Sequence, residues 1–237
     1  MAKTYASLIP SIEQREAGWT QVVARQVQAP KPLAQPSITI SREYGCEGFP
    51  LALRLQALLG EASGSTWTVF DRTLLDKVAT DERLSRDLLK RLGDETHAQD
   101  LILSHIGSLT HDEAYARLVR HLVPIAMGGR AILVGRGAAV VCQDLKNCFH
   151  LRLVASFEFR ARSIARRLDL PLTEAEDLVR TQSKLREKFI SKALQADITA
   201  ARWYDAIFNN ERQSVESIAQ ACLGLVQSGW RERCGKA

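Results

Sequence analysis

The order strand, glycine-bearing turn, helix is the feature that most limits what this chain can become. Residues 37–41, SITIS, read as a short buried strand with turn residues after it. REYGCEG follows, and FPLALRLQALLG then lays Leu51, Leu55, Leu58 and Leu59 on one helical face, with Gly60 as its stop signal. The pattern recurs. TWTVF (66–70) reads as a second strand, AILVG (131–135) as a third, HLRLVA (150–155) as a fourth and DAIFNN (205–210) as a fifth. Helical patterns separate them. One long charged stretch covers 73–127, with breaks near Gly93, Gly107 and Pro124. A basic helix, SFEFRARSIARRL, follows the fourth strand. TEAEDLVRTQSKLREKFISKAL comes next, opened by a capping box of Thr173 and Glu176. SVESIAQACLGLVQSGW closes the chain as an amphipathic helix starting at Ser214. Strands that alternate with helices build a parallel sheet covered on both faces.

Ahead of this pattern, residues 1–28 read as an amphipathic helix, with Leu8, Ile12, Trp19, Val22 and Val23 on one face. The three prolines of APKPLAQP (29–36) fix φ and remove backbone donors, so that stretch is a linker. The expected organisation is an arm and linker over 1–36, an α/β domain over 37–230 and a tail over 231–237. The arm offers a surface for a protein partner or a second copy of the chain.

Composition removes several function classes. No apolar run reaches 18 residues, which argues against a membrane span. The N-terminus lacks the long apolar stretch of a secretory signal, so a cytoplasmic location is expected. Five cysteines at 46, 142, 148, 222 and 234 form no CxxC pair. That suits free thiols in a reducing compartment better than a disulfide framework or zinc; Cys142 and Cys148 read as linker-like sequence, and no metal site is assigned. The net charge of +5 suits a polyanionic small molecule such as a nucleotide, or a loose nucleic-acid contact. At 6% aromatic content, with no recognised binding motif, a nucleic-acid stacking platform is not expected.

Four segments carry chemistry. In ITISREYGCEG a strand delivers Gly45 and Gly48 to a helix N-terminus, where backbone N–H groups can face an anion. The bland alternative is a simple turn. In VGRGA, Arg136 stands between two glycines at the carboxyl end of a strand, where open parallel sheets bind ligands. Its guanidinium can grip a phosphate or a neighbouring loop's carboxylate. SFEFRARSIARRL carries Arg160, Arg162, Arg166 and Arg167, a phosphoryl clamp or a solvated basic face. Asp71 follows the second strand, as a helix N-cap or a ligand contact.

Together these segments resemble the cytidylate kinase-like family, from about Ile38 to Leu225. The first loop of that family looks like ISREYGSGG, and here it reads ISREYGCEG. Phe70-Asp71 is similar to the pair that ends its second strand. VGRGA matches over Val134–Ala138. Ala155, Glu158 and Arg160 fit its A-x-x-E-x-R stretch, and Tyr204 to Asn209 fit the segment before its last helix. The resemblance implies a P-loop kinase-like three-layer α/β domain with a five-stranded parallel sheet. It implies phosphoryl transfer from ATP, with Mg²⁺, to a nucleoside monophosphate such as CMP or dCMP. It places Arg42, Gly45, Cys46 and Gly48 in the donor phosphate loop and Asp71 near the acceptor. Arg136 would hold the acceptor phosphate. Arg160, Arg162 and Arg166 would belong to a lid arm, with Lys184 and Arg186 on the helix after it.

The sequence departs from a full phosphate loop at four positions. On the pattern GxxxxGK[ST], Lys reaches the β/γ-phosphates and Ser/Thr binds Mg²⁺. Here Arg42 takes the first glycine's place, Glu47 the later glycine's, Gly48 the lysine's and Phe49 the hydroxyl's. A carboxylate ~4 Å from a phosphate costs about 4 kcal/mol at an effective dielectric of 20, or about a thousandfold in affinity. Arg42 can neutralise Glu47 or stand in for the lysine. Ser183 stands where the family would carry an Asp. Two expectations follow: an active kinase with a nonstandard loop, or a pseudokinase that binds a nucleotide or anion in a regulatory or scaffold role.

Overall fold

A computed structural model of the chain describes residues 35–71, 73, 75 and 113–234. The N-terminal arm, most of the proline linker and the 76–112 part of the long helical stretch lie outside the described residues. Five strands form one sheet: β1 (Ser37–Arg42), β2 (Thr68–Phe70), β3 (Ala131–Val134), β4 (Cys148–Val154) and β5 (Ala206–Asn209). Their order is β2-β3-β1-β4-β5, and every pairing is parallel. The helices are α1 (Gly48–Ser63), α2 (Glu113–Gly128), α3 (Ala138–Val141), α4 (Phe157–Leu168), α5 (Leu172–Leu194) and α6 (Val215–Cys234). A 3₁₀ turn, Ala201–Trp203, leads into β5.

Two apolar layers sandwich the sheet. Ile38, Ile40, Ile132, Val134, Leu151 and Leu153 pack on one face with α1 and α6. On the other, Phe70 and Leu133 pack with α2, α3 and the end of α5. The alternation of SITIS explains how β1 serves both. Its isoleucines enter the first layer, and its hydroxyls turn to the second and bond there: Ser37 Oγ donates to the Ala126 carbonyl (2.8 Å), and Thr39 Oγ1 lies 2.8 Å from His150 Nδ1. Because β1 hands the chain to α1 on one face and β3 hands it to α3 on the other, the crevice outside their carboxyl ends is the topological switch point.

Local expectations failed in four places, each for a physical reason. Gly60 does not stop α1. Leu58 and Leu59 are buried, the helix runs to Ser63, and Gly64 supplies the left-handed cap (φ 60°). Pro124 lies inside α2 rather than breaking it. An interior proline costs ~3 kcal/mol, which the burial of Leu122, Val123, Ile125 and Ala126 offsets. Thr173 and Glu176 form no capping box, because α5 starts at Leu172 with Pro171 in the cap position. Cys142 and Cys148 lie not in a linker but in the core, both fully buried. Burial and the Cys148 side chain hold the Cys142 thiol well above its ordinary range, the contact with Cys148 being the larger cause.

Helices α4 and α5 form a hairpin beyond the sheet. Ser156 caps α4 by accepting from the Phe159 amide (3.2 Å), and Asp169 (φ 54°) turns the chain at the far end. The hairpin's own core is small: Ile164, Ala175 and Val179 are buried, with Phe157, Leu178 and Tyr44 packed on them. Tyr44 comes from the loop after β1, so the hairpin is fastened to that loop.

Candidate functional site

The loop after β1 is closed on itself. The Glu43 amide donates to the Leu153 carbonyl (3.1 Å), and the Cys46 amide donates to the Glu43 carbonyl (3.2 Å). The Glu47 amide donates to Asn210 Oδ1 (2.7 Å), and Asn210 Nδ2 donates back to Glu47 Oε2 (3.3 Å). A phosphate cradle needs such amides free and convergent. Here protein oxygens take three of them. The far side of the loop is occupied too. Gly45 has φ 105°, and a Cβ built on it would meet the Arg160 Cβ at 2.5 Å and the Arg160 backbone at 2.8 Å. Glycine is required there because α4 lies directly on the loop.

Arginines lock this contact. Arg160 donates to the Tyr44 carbonyl (3.3 Å), the Ala155 carbonyl (3.2 Å) and Ser183 Oγ (3.2 Å), and pairs with Glu43 (3.5 Å). Arg167 donates to the Gly45 carbonyl (2.9 Å). Ser183 thus receives Arg160 without adding a second carboxylate. Cys46 is buried inside the loop, and burial, with the charge of Glu43 behind it, pushes its thiol up to about 12.

Arg42 does not neutralise Glu47. Its stem passes Gly48, 3.0 Å from where a Cβ would stand, and its Nη1 lies 2.3 Å from the Cβ position of Gly135. Only a glycine at 135 lets the guanidinium rest there. The turn beneath it is unusual: Gly135, Arg136 and Gly137 are all left-handed, with φ of 84°, 57° and 69°. For Arg136 that conformation costs about 1–2 kcal/mol. Strain of this kind persists where the surroundings over-determine it, often at ligand sites. The turn is tied to the sheet by the Gly135 amide, which donates to the Ile40 carbonyl (3.0 Å).

Between this turn, β4 and α5 opens a cleft of about 650 Å³ at the switch point. Arg42, Arg136, Arg152, Arg160 and Arg186 line it, against Glu43 and Glu187. Arg186 stacks over the Tyr44 ring (4.9 Å) and donates to the Arg42 carbonyl (3.4 Å). Burial, then the charges of Arg186 and Arg136, push the Arg42 guanidinium down to about 9, while Cys46 and Asp71 act in the opposite sense. The group stays protonated at neutral pH, in surroundings that disfavour its charge. An anion in the cleft would relieve that repulsion.

Of the residues singled out in the sequence, the structure brings Arg42, Arg136, Arg160 and Arg186 to one cleft. Gly45, Cys46 and Gly48 are in the closed loop beside it. Asp71 lies near enough to act on Arg42, and its carbonyl accepts from the Leu75 amide (3.0 Å), the pattern of a helix N-cap. Arg162 and Arg166 are exposed on α4 outside the cleft, Arg162 lying 4.0 Å from Glu211. Lys184 is exposed on α5. Sequence reasoning missed Arg152, Tyr204 and Ser41 on the cleft floor. The signal was available: an arginine inside a strand that reads as buried is costly unless something holds it.

Mg²⁺-ATP held as in a full phosphate loop does not fit these residues. Phe49, in the place of the metal-binding hydroxyl, packs on the layer between the sheet, α1 and α6. Three of the loop amides, those of Glu43, Cys46 and Glu47, are taken by protein oxygens.

The sheet order, the switch-point cleft and the helical hairpin define a three-layer α/β protein of nucleotide-kinase type. The chain belongs to the cytidylate kinase-like family, whose model matches residues 37–212. No curated protein matches it. Among solved structures it is similar to an uncharacterized protein from Eubacterium ventriosum ATCC 27560. That likeness has a TM-score of 0.65 and 17% identity and covers 82% of this chain and 99% of the other. At that identity it supports the fold alone. Among the described residues no helix is long and apolar enough to cross a membrane.

Proposed function

We propose that the chain binds a phosphate-bearing nucleotide in the arginine-lined cleft, on the acceptor side of a kinase-like fold. A nucleoside monophosphate such as CMP or dCMP is the ligand that the family points to, with ATP as donor if transfer occurs. The observation that carries the reading is the convergence of Arg42, Arg136 and Arg186 at the carboxyl ends of β1 and β3. Burial first, and then the Arg186 and Arg136 guanidiniums, disfavour the charge of Arg42, and a phosphate monoester in the cleft would offset that with a bidentate contact.

A second reading, binding without transfer, is favoured by the first loop. Three of its amides are used internally and Glu47 occupies the cradle. Transfer would need that loop to let go of Asn210 and α4. We take binding as the function that the geometry supports best, with turnover conditional on that opening.

Calorimetric titration with CMP and with Mg²⁺-ATP, followed by an assay of ADP release with both, tests the two readings. CMP is expected to bind, and Arg136→Ala to weaken it about ten- to a hundredfold, the range of one charge-assisted contact. Equal CMP affinity in that variant would remove Arg136 from the site. ADP release would show that the loop opens and that the chain is a kinase. CMP binding without ATP binding would leave the pseudokinase reading standing.

A further inference from the structure

The floor of the cleft is built unlike its mouth. At the mouth, Arg42, Arg136 and Arg186 come from a strand end, a turn and a helix. Arg152 comes from within the sheet, in β4, in register with Ser41 of β1, and only 5% of its surface is exposed. Its contacts all use one nitrogen. Nη1 donates to the Ile198 carbonyl (2.8 Å) and is shared with the Tyr204 hydroxyl (3.3 Å) and Ser41 Oγ (3.4 Å). The Tyr204 hydroxyl donates in turn to the Ile198 carbonyl (2.8 Å) and lies 3.2 Å from Ser41 Oγ. Its ring lies 5.4 Å from the guanidinium carbon.

Among the described residues, Nε and Nη2 of Arg152 make no hydrogen bond, and no carboxylate forms an ion pair with it. Asp197 lies close enough to feel the charge of Arg152. The hydroxyl and amide of Thr199 hold its carboxyl below the usual range, and Arg152 adds less. A guanidinium withdrawn this far from water is costly unless its charge and its donors are met. Three neutral oxygens meet one edge. The other donors belong to a residue that lines the cleft, and two N–H groups in a fixed fork match two oxygens of one anionic group.

We infer that Arg152, held in place by the Tyr204 hydroxyl and joined by the hydroxyl of Ser41, forms a second anion subsite on the cleft floor. The ligand then carries two linked anionic groups, one at the arginines of the mouth and one at the floor, as a phosphoanhydride does. This rests on the reading that the cleft holds a phosphate. It adds that a ligand with a single phosphate leaves the floor unfilled.

Inorganic phosphate and pyrophosphate, titrated into the full chain at fixed ionic strength, test this. Pyrophosphate should bind about tenfold or more tightly than phosphate, the worth of one further charge-assisted contact. Arg152→Met should abolish most of that preference while leaving phosphate affinity unchanged. Arg162→Met, which removes the same charge from an exposed site outside the cleft, should leave the preference intact. Tyr204, Ser41 and Ile198 keep their mutual bonds without the guanidinium. Should Arg152→Met still fail to fold, Arg152→Lys keeps the charge, loses the fork and should show the same selective loss. A pyrophosphate preference that survives both substitutions overturns the floor subsite and leaves the cleft reading in place. Wild-type protein that binds neither anion overturns both.

Discussion

Two regions at the same end of the sheet have opposite fates. The loop after β1 has the glycines of an anion cradle and has turned inward: three of its amides bond to protein oxygens, its far side is covered by α4, and its thiol is buried. The cleft behind the turn after β3 takes in only the start of that loop, Glu43 and Tyr44, yet it gathers five arginines. Glycines do not make an anion site. They allow close approach, and what approaches Gly45 is the backbone of Arg160, whereas what approaches Gly135 is a guanidinium. The same residue type serves packing in one place and charge in the other.

The comparison can be broken at several points. The largest expected effect is kinetic. With its thiol pushed up to about 12 from an ordinary 9.0, Cys46 should be alkylated at neutral pH about a thousandfold more slowly than an exposed thiol. The thiolate is the reactive form, so the rate should keep climbing tenfold per pH unit beyond pH 9, where an exposed thiol levels off. Mass-resolved labelling of the native protein reads this, and fast labelling at pH 7 would mean that the loop stands open. Next in size is Gly45→Ala. A Cβ pressed against the Arg160 backbone, at φ 105°, should destabilise the fold by about 3 kcal/mol. A shift in urea unfolding worth less than 1 kcal/mol would show that α4 does not rest on the loop as described. The smallest effect belongs to the cleft. Arg42→Met should weaken phosphate binding about tenfold without lowering stability, since the fold disfavours that charge. A clear loss of stability would instead make Arg42 a structural tie.

The architecture was legible because alternation reports burial directly. SITIS, AILV and the leucines of α1 each named their faces. Half of the site was legible for the same reason: an arginine flanked by glycines at a strand end can be read without coordinates. The rest depended on contacts between residues far apart in the chain. Nothing near Glu47 announces Asn210, 163 positions away. Arg160, read as a clamp for a transferring group, spends its donors on Tyr44, Ala155 and Ser183. Arg162 shares its helix but faces outward. Boundaries failed where packing outweighed a local signal, as at Gly60 and Pro124.

Tyr44 has a consequence for how the molecule opens. The apolar cluster between α4 and α5 has only Ile164, Ala175 and Val179 fully buried, and one of the rings packed on it, Tyr44, belongs to the first loop. Hairpin and loop therefore make up one cooperative unit that exchanges its amide hydrogens together, apart from the slower strands beneath. Protection factors for Ala161–Ile164 and for the Cys46 and Glu47 amides should fall in parallel as denaturant rises, and separate slopes would dissolve that unit. Whatever loosens the cradle also unlatches the arm, so a ligand that prises one region open pays for both.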